Sequence, residues 1–212
     1  PIGFSAQSMI ALGQAFNLAK IKNSEVVLLS VVGEQSMIES LFVDDKSHEL
    51  QQKVNQKLIE IGKEYGDKYG VHVETMVAKG KIYNQINEVA EMVSADLIVM
   101  GTNGSSGSSK KIMGSNAERV VRLAHCPVIT IKGKEHREGC DNIILPLDLE
   151  KQTKEKVTNA LEYARYWNAT IRLVSVVLRD SQEVRENLIK NINQVKKFIT
   201  DAGVKCTAEL VE

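Results

Sequence analysis

"ADLIVMGTNGSSGSSKKIMGSNAERVV", residues Ala95–Val121, runs from an apolar segment through a glycine- and serine-rich loop into a helical pattern. "DLIVMG" has the continuous apolar character of a strand buried on both faces. Ala117, Val120, Val121 and Ala124 follow at helical spacing. The same alternation extends in both directions. Upstream lie the strand "EVVLLSVV", a long helix marked by Leu50, Val54, Leu58, Ile61, Tyr65 and Tyr69, the strand "VHVETMVA", and a helix through Ile82, Ile86, Val89, Ala90 and Val93. Downstream lies the strand "PVITIK". Strands alternating with helices predict an α/β fold with a doubly wound, open parallel sheet and helices on both faces.

The chain also repeats itself. "PIGFSAQSMIALGQAFNLAKIKNSEVVLLSVV" from Pro1 aligns without a gap on "PLDLEKQTKEKVTNALEYARYWNATIRLVSVV" from Pro146. Pro1, Gln7, Ala15, Ala19, Asn23, Leu28, Ser30, Val31 and Val32 recur at Pro146, Gln152, Ala160, Ala164, Asn168, Leu173, Ser175, Val176 and Val177. A second pair, "GVHVETMVA" from Gly70 and "GVKCTAELV" from Gly203, follows in the same order. Such self-similarity means two tandem copies of one domain. The expected layout is a first domain over residues 1–132, a linker over residues 133–140 and a second domain over residues 141–212. "PIGFS" reads as the exit of a first strand whose beginning is missing. The second copy is incomplete: it stops before its third helix, fourth strand, glycine loop and last strand, so both ends look cut.

Composition narrows the function. The 212 residues are 43% apolar but only 5% aromatic, so the core is built from Val, Ile, Leu and Ala. Lys plus Arg (27) balance Asp plus Glu (27), which leaves no broad basic field for nucleic acid. Apolar runs fall far short of the ~20 residues that span a bilayer. Three scattered cysteines, Cys126, Cys140 and Cys206, form no CxxC pair, and no leader-like segment opens the chain. These features are expected of a cytoplasmic protein without disulfide or zinc frameworks.

The loop after "DLIVMG" lies where an open parallel sheet places its ligand crevice, at the carboxyl ends of the strands. Gly101 and Gly104 let the backbone turn and approach a ligand closely. Ser115 is the expected N-cap of the following helix, and Glu118 completes a capping box. The free N–H groups of that helix suit an anion, with Lys110 and Lys111 as added charge. "GTNGSSG" is neither GxGxxG nor a Walker A loop. On residue chemistry alone, a phosphate cradle and a capped connector both remain open.

The spacing Gly101, two residues, Gly104, nine residues, Gly114-Ser115 resembles the G-2x-G-9x-G-S/T signature of nucleotide-binding universal stress proteins. The flanks "ADLIVMGTNG" and "GSNAERVVRLAHCPVITIK" resemble the family too, as does "PIGFSAQSMIALGQAFNLA" at the first strand exit and helix. The resemblance implies a Rossmann-like, adenine-nucleotide alpha hydrolase-like sheet of five parallel strands, with ATP at the loop. It implies association as a homo-oligomer or, between tandem domains, as an intramolecular pseudo-dimer. Carried over, Met100 and Gly101 lie near ribose and phosphates, and Gly104, Gly114, Ser115 and Asn116 bind phosphate. Family members that bind nucleotide usually carry a small apolar residue where Asn116 stands, and an aspartate where this chain has Gly3. The acid appears only in the second copy, as Asp148.

The remaining polar residues are read as structural. His125-Cys126-Pro127 has no orienting partner for catalysis. His48, His72 and His136 are isolated, without metal spacing. Trp167 ends an apolar helical face. The expected function is a stress-response regulator that binds ATP or a related adenine nucleotide in the first domain. Hydrolysis, if any, is slow, because no general base or magnesium-binding acid stands near the loop. The alternatives are a scaffold member that binds no nucleotide and works by protein association, and a nucleotide-dependent enzyme of the hydrolase-like group.

Overall fold

The computed structural model describes residues 1–33, 44–102, 114–133, 139–148, 153–177 and 182–211. The chain forms two compact units, Pro1–Glu138 and Gly139–Glu212. Unit 1 runs α1 (Ala6–Lys22), β1 (Val26–Val32), α2 (Asp44–Tyr69), β2 (Val73–Lys79), α3 (Ile82–Met92), β3 (Ile98–Gly101), α4 (Ser115–Leu123) and β4 (Val128–Ile131). Unit 2 runs β5 (Asn142–Pro146), α5 (Thr153–Trp167), β6 (Thr170–Val176), α6 (Gln182–Asp201) and β7 (Cys206–Val211). This is the α/β architecture expected from the alternating pattern. All strand pairs are parallel: β1 with β2, β3 with β4, and β5–β6–β7 in that order.

Two-sided burial explains the apolar runs. In β1, Val26 and Leu28 pack with Leu12 and Phe16 of α1 and with Leu58 and Ile61 of α2. Leu29 points the other way, into a cluster with Ile86 and Ala90 of α3, Ile98 and Met100 of β3, and Ala117 and Val120 of α4. Phe16 is fully buried and its ring meets Tyr65 and Tyr69 at centroid distances of 5.3 and 5.8 Å. α2 lies close on β2 because it carries glycine at the contact: a Cβ on Gly66 would stand 3.0 Å from the Val71 carbonyl oxygen. In unit 2 the core gathers Leu145, Leu147, Leu161, Ile171, Leu173, Ile192 and Ile199, with Trp167 packed against its edge.

The two repeated sequence segments match in backbone detail as well. Asn23 and Asn168 both take φ 51°. Asn23 ends α1 in the left-handed region, and its N–H donates back to the Ala19 and Lys20 carbonyls. Just beyond, Ser24 N–H donates to Ala19 O and Ala169 N–H to Ala164 O, both at 2.9 Å. Gly70 and Gly203, which precede β2 and β7, both have positive φ, 68° and 82°. Ser30 and Ser175 are both buried, and Ser175 Oγ donates to the Leu147 carbonyl at 2.8 Å.

A left-handed residue without a polar side chain costs about 1–2 kcal/mol. Asn23→Val is therefore expected to lower the unfolding free energy of unit 1 by about that amount, measured by urea denaturation. Asn23→Gly should be nearly neutral. Equal losses in both variants would contradict the helix ending described.

Candidate functional site

Three chain segments converge beyond the carboxyl end of β3. The first is β3 itself, ending in Met100, Gly101 and Thr102. Met100 is buried within the α3–α4 core, so its side chain serves packing. Gly101 sits against the first turn of α1: a Cβ there would stand 3.0 Å from the Gln7 carbonyl carbon, 3.1 Å from its oxygen and 3.2 Å from Ser8 N. These are backbone atoms, so only glycine permits this approach. Thr102 is 4% exposed, and its Oγ1 donates to Gln7 Oε1 at 3.2 Å.

The second segment is the start of α1. Ser5 is its N-cap; the Ser5 Oγ accepts from Ser8 N–H at 3.2 Å, and Ser8 Oγ donates to the Ser5 carbonyl at 2.9 Å. Ser5 and Ser8 thus serve the entry of the helix. The preceding residue, Phe4, holds φ 55°, a costly conformation for a bulky side chain. Its ring packs with the α1–α2 core, and Lys57 Nζ lies 4.9 Å from the ring centroid. Gly3 has open space where a Cβ would be, with nothing within 4 Å.

The third segment is the start of α4. Here the sequence expectation needs correction. Ser115 is not the N-cap; it is the first helical residue, and Gly114 is the cap, with φ −68° and ψ 150°. No side chain caps the helix, so the capping box does not form. The reason is tertiary: Gly114 N–H donates to the Thr102 carbonyl at 2.7 Å, which holds Gly114 extended. Glu118 N–H then closes the first helical bond to Gly114 O at 3.0 Å. The N–H groups of Ser115, Asn116 and Ala117 precede that bond and have no acceptor within the helix. Ala117 and Val120 anchor the helix in the core, Ser115 is exposed, and Asn116 is half-buried. Glu118 pairs with Arg122 at 3.0 Å one turn on, which offsets the only acid in the first turn.

Two helix N-termini, each with partial positive charge, therefore stand at one strand end. Such an arrangement has the chemistry to accept an oxyanion through backbone N–H groups. Among the described residues, no group of three or more His, Cys, Asp or Glu is placed to hold a metal ion. Gly101, Gly114, Ser115 and Asn116 flank this point, joined through Thr102. Gly104, Lys110 and Lys111 lie outside the described residues. Sequence reasoning missed Gln7 and Thr102; the only trace was the recurrence of Gln7 at Gln152.

Residues weighed against catalysis keep structural surroundings. Burial pushes the Cys126 thiol above its ordinary pKa, and Asp96 adds to the shift, so it is a poor thiolate. Asp148 lies 3.8 Å from Lys156 Nζ, and its carbonyl accepts from Asn191 Nδ2 at 2.8 Å. No helix among the described residues is long and apolar enough to cross a membrane.

Known proteins resemble this chain. A family model described as the universal stress protein family matches residues 1–132. Universal stress protein MJ0531 of Methanocaldococcus jannaschii is 36% identical over 135 residues, covering 62% of this chain and 79% of its own. YxiE, a universal stress protein of Bacillus subtilis, is 31% identical over 138 residues, covering 60% and 93%. A universal stress protein of known structure from Archaeoglobus fulgidus superposes with a TM-score of 0.80 at 18% identity, over all of this chain and 74% of its own. The fold is thus shared along the whole chain, beyond the reach of sequence identity.

Gly101→Ala tests the site's foundation. The added methyl meets backbone, so α1 or β3 must shift. Overpacking of this kind costs about 1–3 kcal/mol. Denaturant unfolding should show that loss, and unchanged stability would mean that α1 does not rest on Gly101.

Proposed function

Because the chain belongs to the universal stress protein family, we propose that its first domain binds ATP or a related adenine nucleotide and acts as a cytoplasmic stress-response regulator. The observation that carries this reading is the convergence of the α1 and α4 N-termini at the end of β3, tied by the Gly114 N–H to Thr102 O bond of 2.7 Å. Phosphate oxygens accept from the free N–H groups of Ser115, Asn116 and Ala117 and from the Ser115 hydroxyl. The resemblance adds Gly104 to the phosphate-binding residues. The partial charges of both helices attract the phosphate, and the backbone needs no reorganisation to meet it. ATP hydrolysis at such a site is slow, since catalysis of phosphoryl transfer requires positioned water and charge neutralisation in addition to binding.

Residues 141–212 are read as a second copy of the same domain, joined by the linker 133–140. Pairing of the copies, or of two chains, supplies the oligomer that the resemblance implies. A second reading is a scaffold that binds no nucleotide. Gly3 favours it, because the acid that faces ribose or base in the family is absent from the copy that carries the loop.

Titration calorimetry with ATP separates the two. The intact chain should bind ATP, and Gly114→Val, which sets a branched side chain at the start of α4 beside the free N–H groups, should weaken binding about tenfold or more, the equivalent of about 1.4 kcal/mol. Absence of binding at millimolar ATP favours the scaffold. The open space at Gly3 gives a complementary test. A Cβ at Gly3 meets nothing within 4 Å, and Gly3→Asp should tighten ATP binding by about tenfold through one carboxylate–hydroxyl bond. No gain from that variant would show that the acid position does not face the nucleotide.

A further inference from the structure

The turn ahead of α1 differs in charge from its aligned counterpart in unit 2. The two turns correspond in structure: Ile2 N–H donates to Leu29 O at 2.7 Å, and Leu147 N–H donates to Val174 O at 2.9 Å. The next residue in unit 2 is Asp148, and Lys156 Nζ stands 3.8 Å from its carboxylate. In unit 1 neither member of that pair is present. Gly3 stands in the place of Asp148, and the buried Ala11 in the place of Lys156. Nothing lies within 4 Å of where a Cβ on Gly3 would be. The first turn of α1 carries no acid either.

A cation reaches this turn from α2. The stripe Leu50, Val54, Leu58 and Ile61 of α2 has the spacing of Val184, Leu188, Ile192 and Val195 of α6. Leu58 and Ile192 are each buried in the core of their own unit. Lys57 therefore holds the place of Asn191. Asn191 Nδ2 donates to the Asp148 carbonyl at 2.8 Å, so a side chain at this place meets the turn. Lys57 does the same in unit 1: its Nζ lies 4.9 Å from the ring centroid of Phe4, the neighbour of Gly3. Phe4 holds φ 55°, and a conformation this costly persists only where its surroundings impose it. It sets the ring on the α1–α2 core, under the ammonium.

Lys57 is exposed, and among the described residues no carboxylate pairs with it. Glu49 pairs with Lys53 at 2.6 Å, and Glu60 accepts from Gln56 Nε2 at 3.3 Å. Unit 1 thus has a cation beside an empty place, where unit 2 has an acid. The chemistry of that exchange is specific. A carboxylate accepts from ribose hydroxyls and repels a phosphate on the ribose; a cation without the acid favours the phosphate.

We propose that Lys57 and the open space at Gly3 take a phosphate carried on the ribose, so that the ligand class of unit 1 is adenine nucleotides phosphorylated at the 2′ or 3′ position. This rests on the reading that unit 1 binds an adenine nucleotide with Gly3 beside the ribose. The 5′ phosphates meet the starts of α1 and α4, and the ribose phosphate meets Lys57. The lysine stem is flexible, so the ammonium reaches the phosphate by rotation about side-chain bonds, without a backbone shift.

Titration calorimetry on the intact chain compares AMP, adenosine 2′,5′-bisphosphate, adenosine 3′,5′-bisphosphate and ATP. One of the bisphosphates should bind about tenfold more tightly than AMP, and the advantage should shrink as salt is raised. Lys57→Gln should bring that ratio near one. Gly3→Asp should weaken binding of the bisphosphate while it tightens binding of ATP. Equal affinity for AMP and both bisphosphates, with ATP bound, would overturn the inference and leave the nucleotide reading standing. A bisphosphate preference that survives Lys57→Gln would overturn it as well. Absence of binding by all four nucleotides would remove both.

Discussion

The first turn of α1 rests against the end of β3 because Gly101 has no side chain. With Gln7 carbonyl and Ser8 nitrogen about 3 Å from where a Cβ would be, any other residue would push the helix away. That contact brings Gln7 beside Thr102, whose buried hydroxyl would otherwise lose its partner at a cost of about 1–3 kcal/mol. Thr102 in turn offers its carbonyl to Gly114 N–H and sets the start of α4. Three successive contacts thus place two helix N-termini at one point, and the site's chemistry follows from their placement.

The converging helix starts lie in unit 1, while the acid that the family resemblance implies beside them appears as Asp148 in unit 2, where it lies near Lys156 and its backbone is tied by Asn191. Unit 1 instead has Gly3, followed by Phe4 in a strained left-handed conformation. A site built chiefly of backbone donors recognises phosphate well and has fewer means to select base or ribose.

Much of the fold was legible in the sequence because burial on both faces leaves continuous apolar runs, and because the repeat reinforces each element. The αL asparagines Asn23 and Asn168 and the glycines Gly70 and Gly203 were visible as repeated letters, and their shared φ values explain the recurrence. The site was less legible. Ser115 looked like a cap on local pattern, yet a tertiary bond from Gly114 moved the cap one residue back. The bond between Gln7 and Thr102 spans 95 residues, and no local periodicity encodes it. The side chain of Met100, which the resemblance sets near ribose and phosphates, belongs to the core, as the apolar run "DLIVM" suggests.

The central claim is that the backbone N–H groups at the starts of α1 and α4 form one anion site. Amide hydrogen exchange of the intact chain with and without ATP tests it most directly. The account predicts slowed exchange at Ser115, Asn116 and Ala117, with a smaller effect at Ala6 and Gln7. Exchange at those amides unchanged by saturating ATP, or protection confined to residues elsewhere, would contradict it.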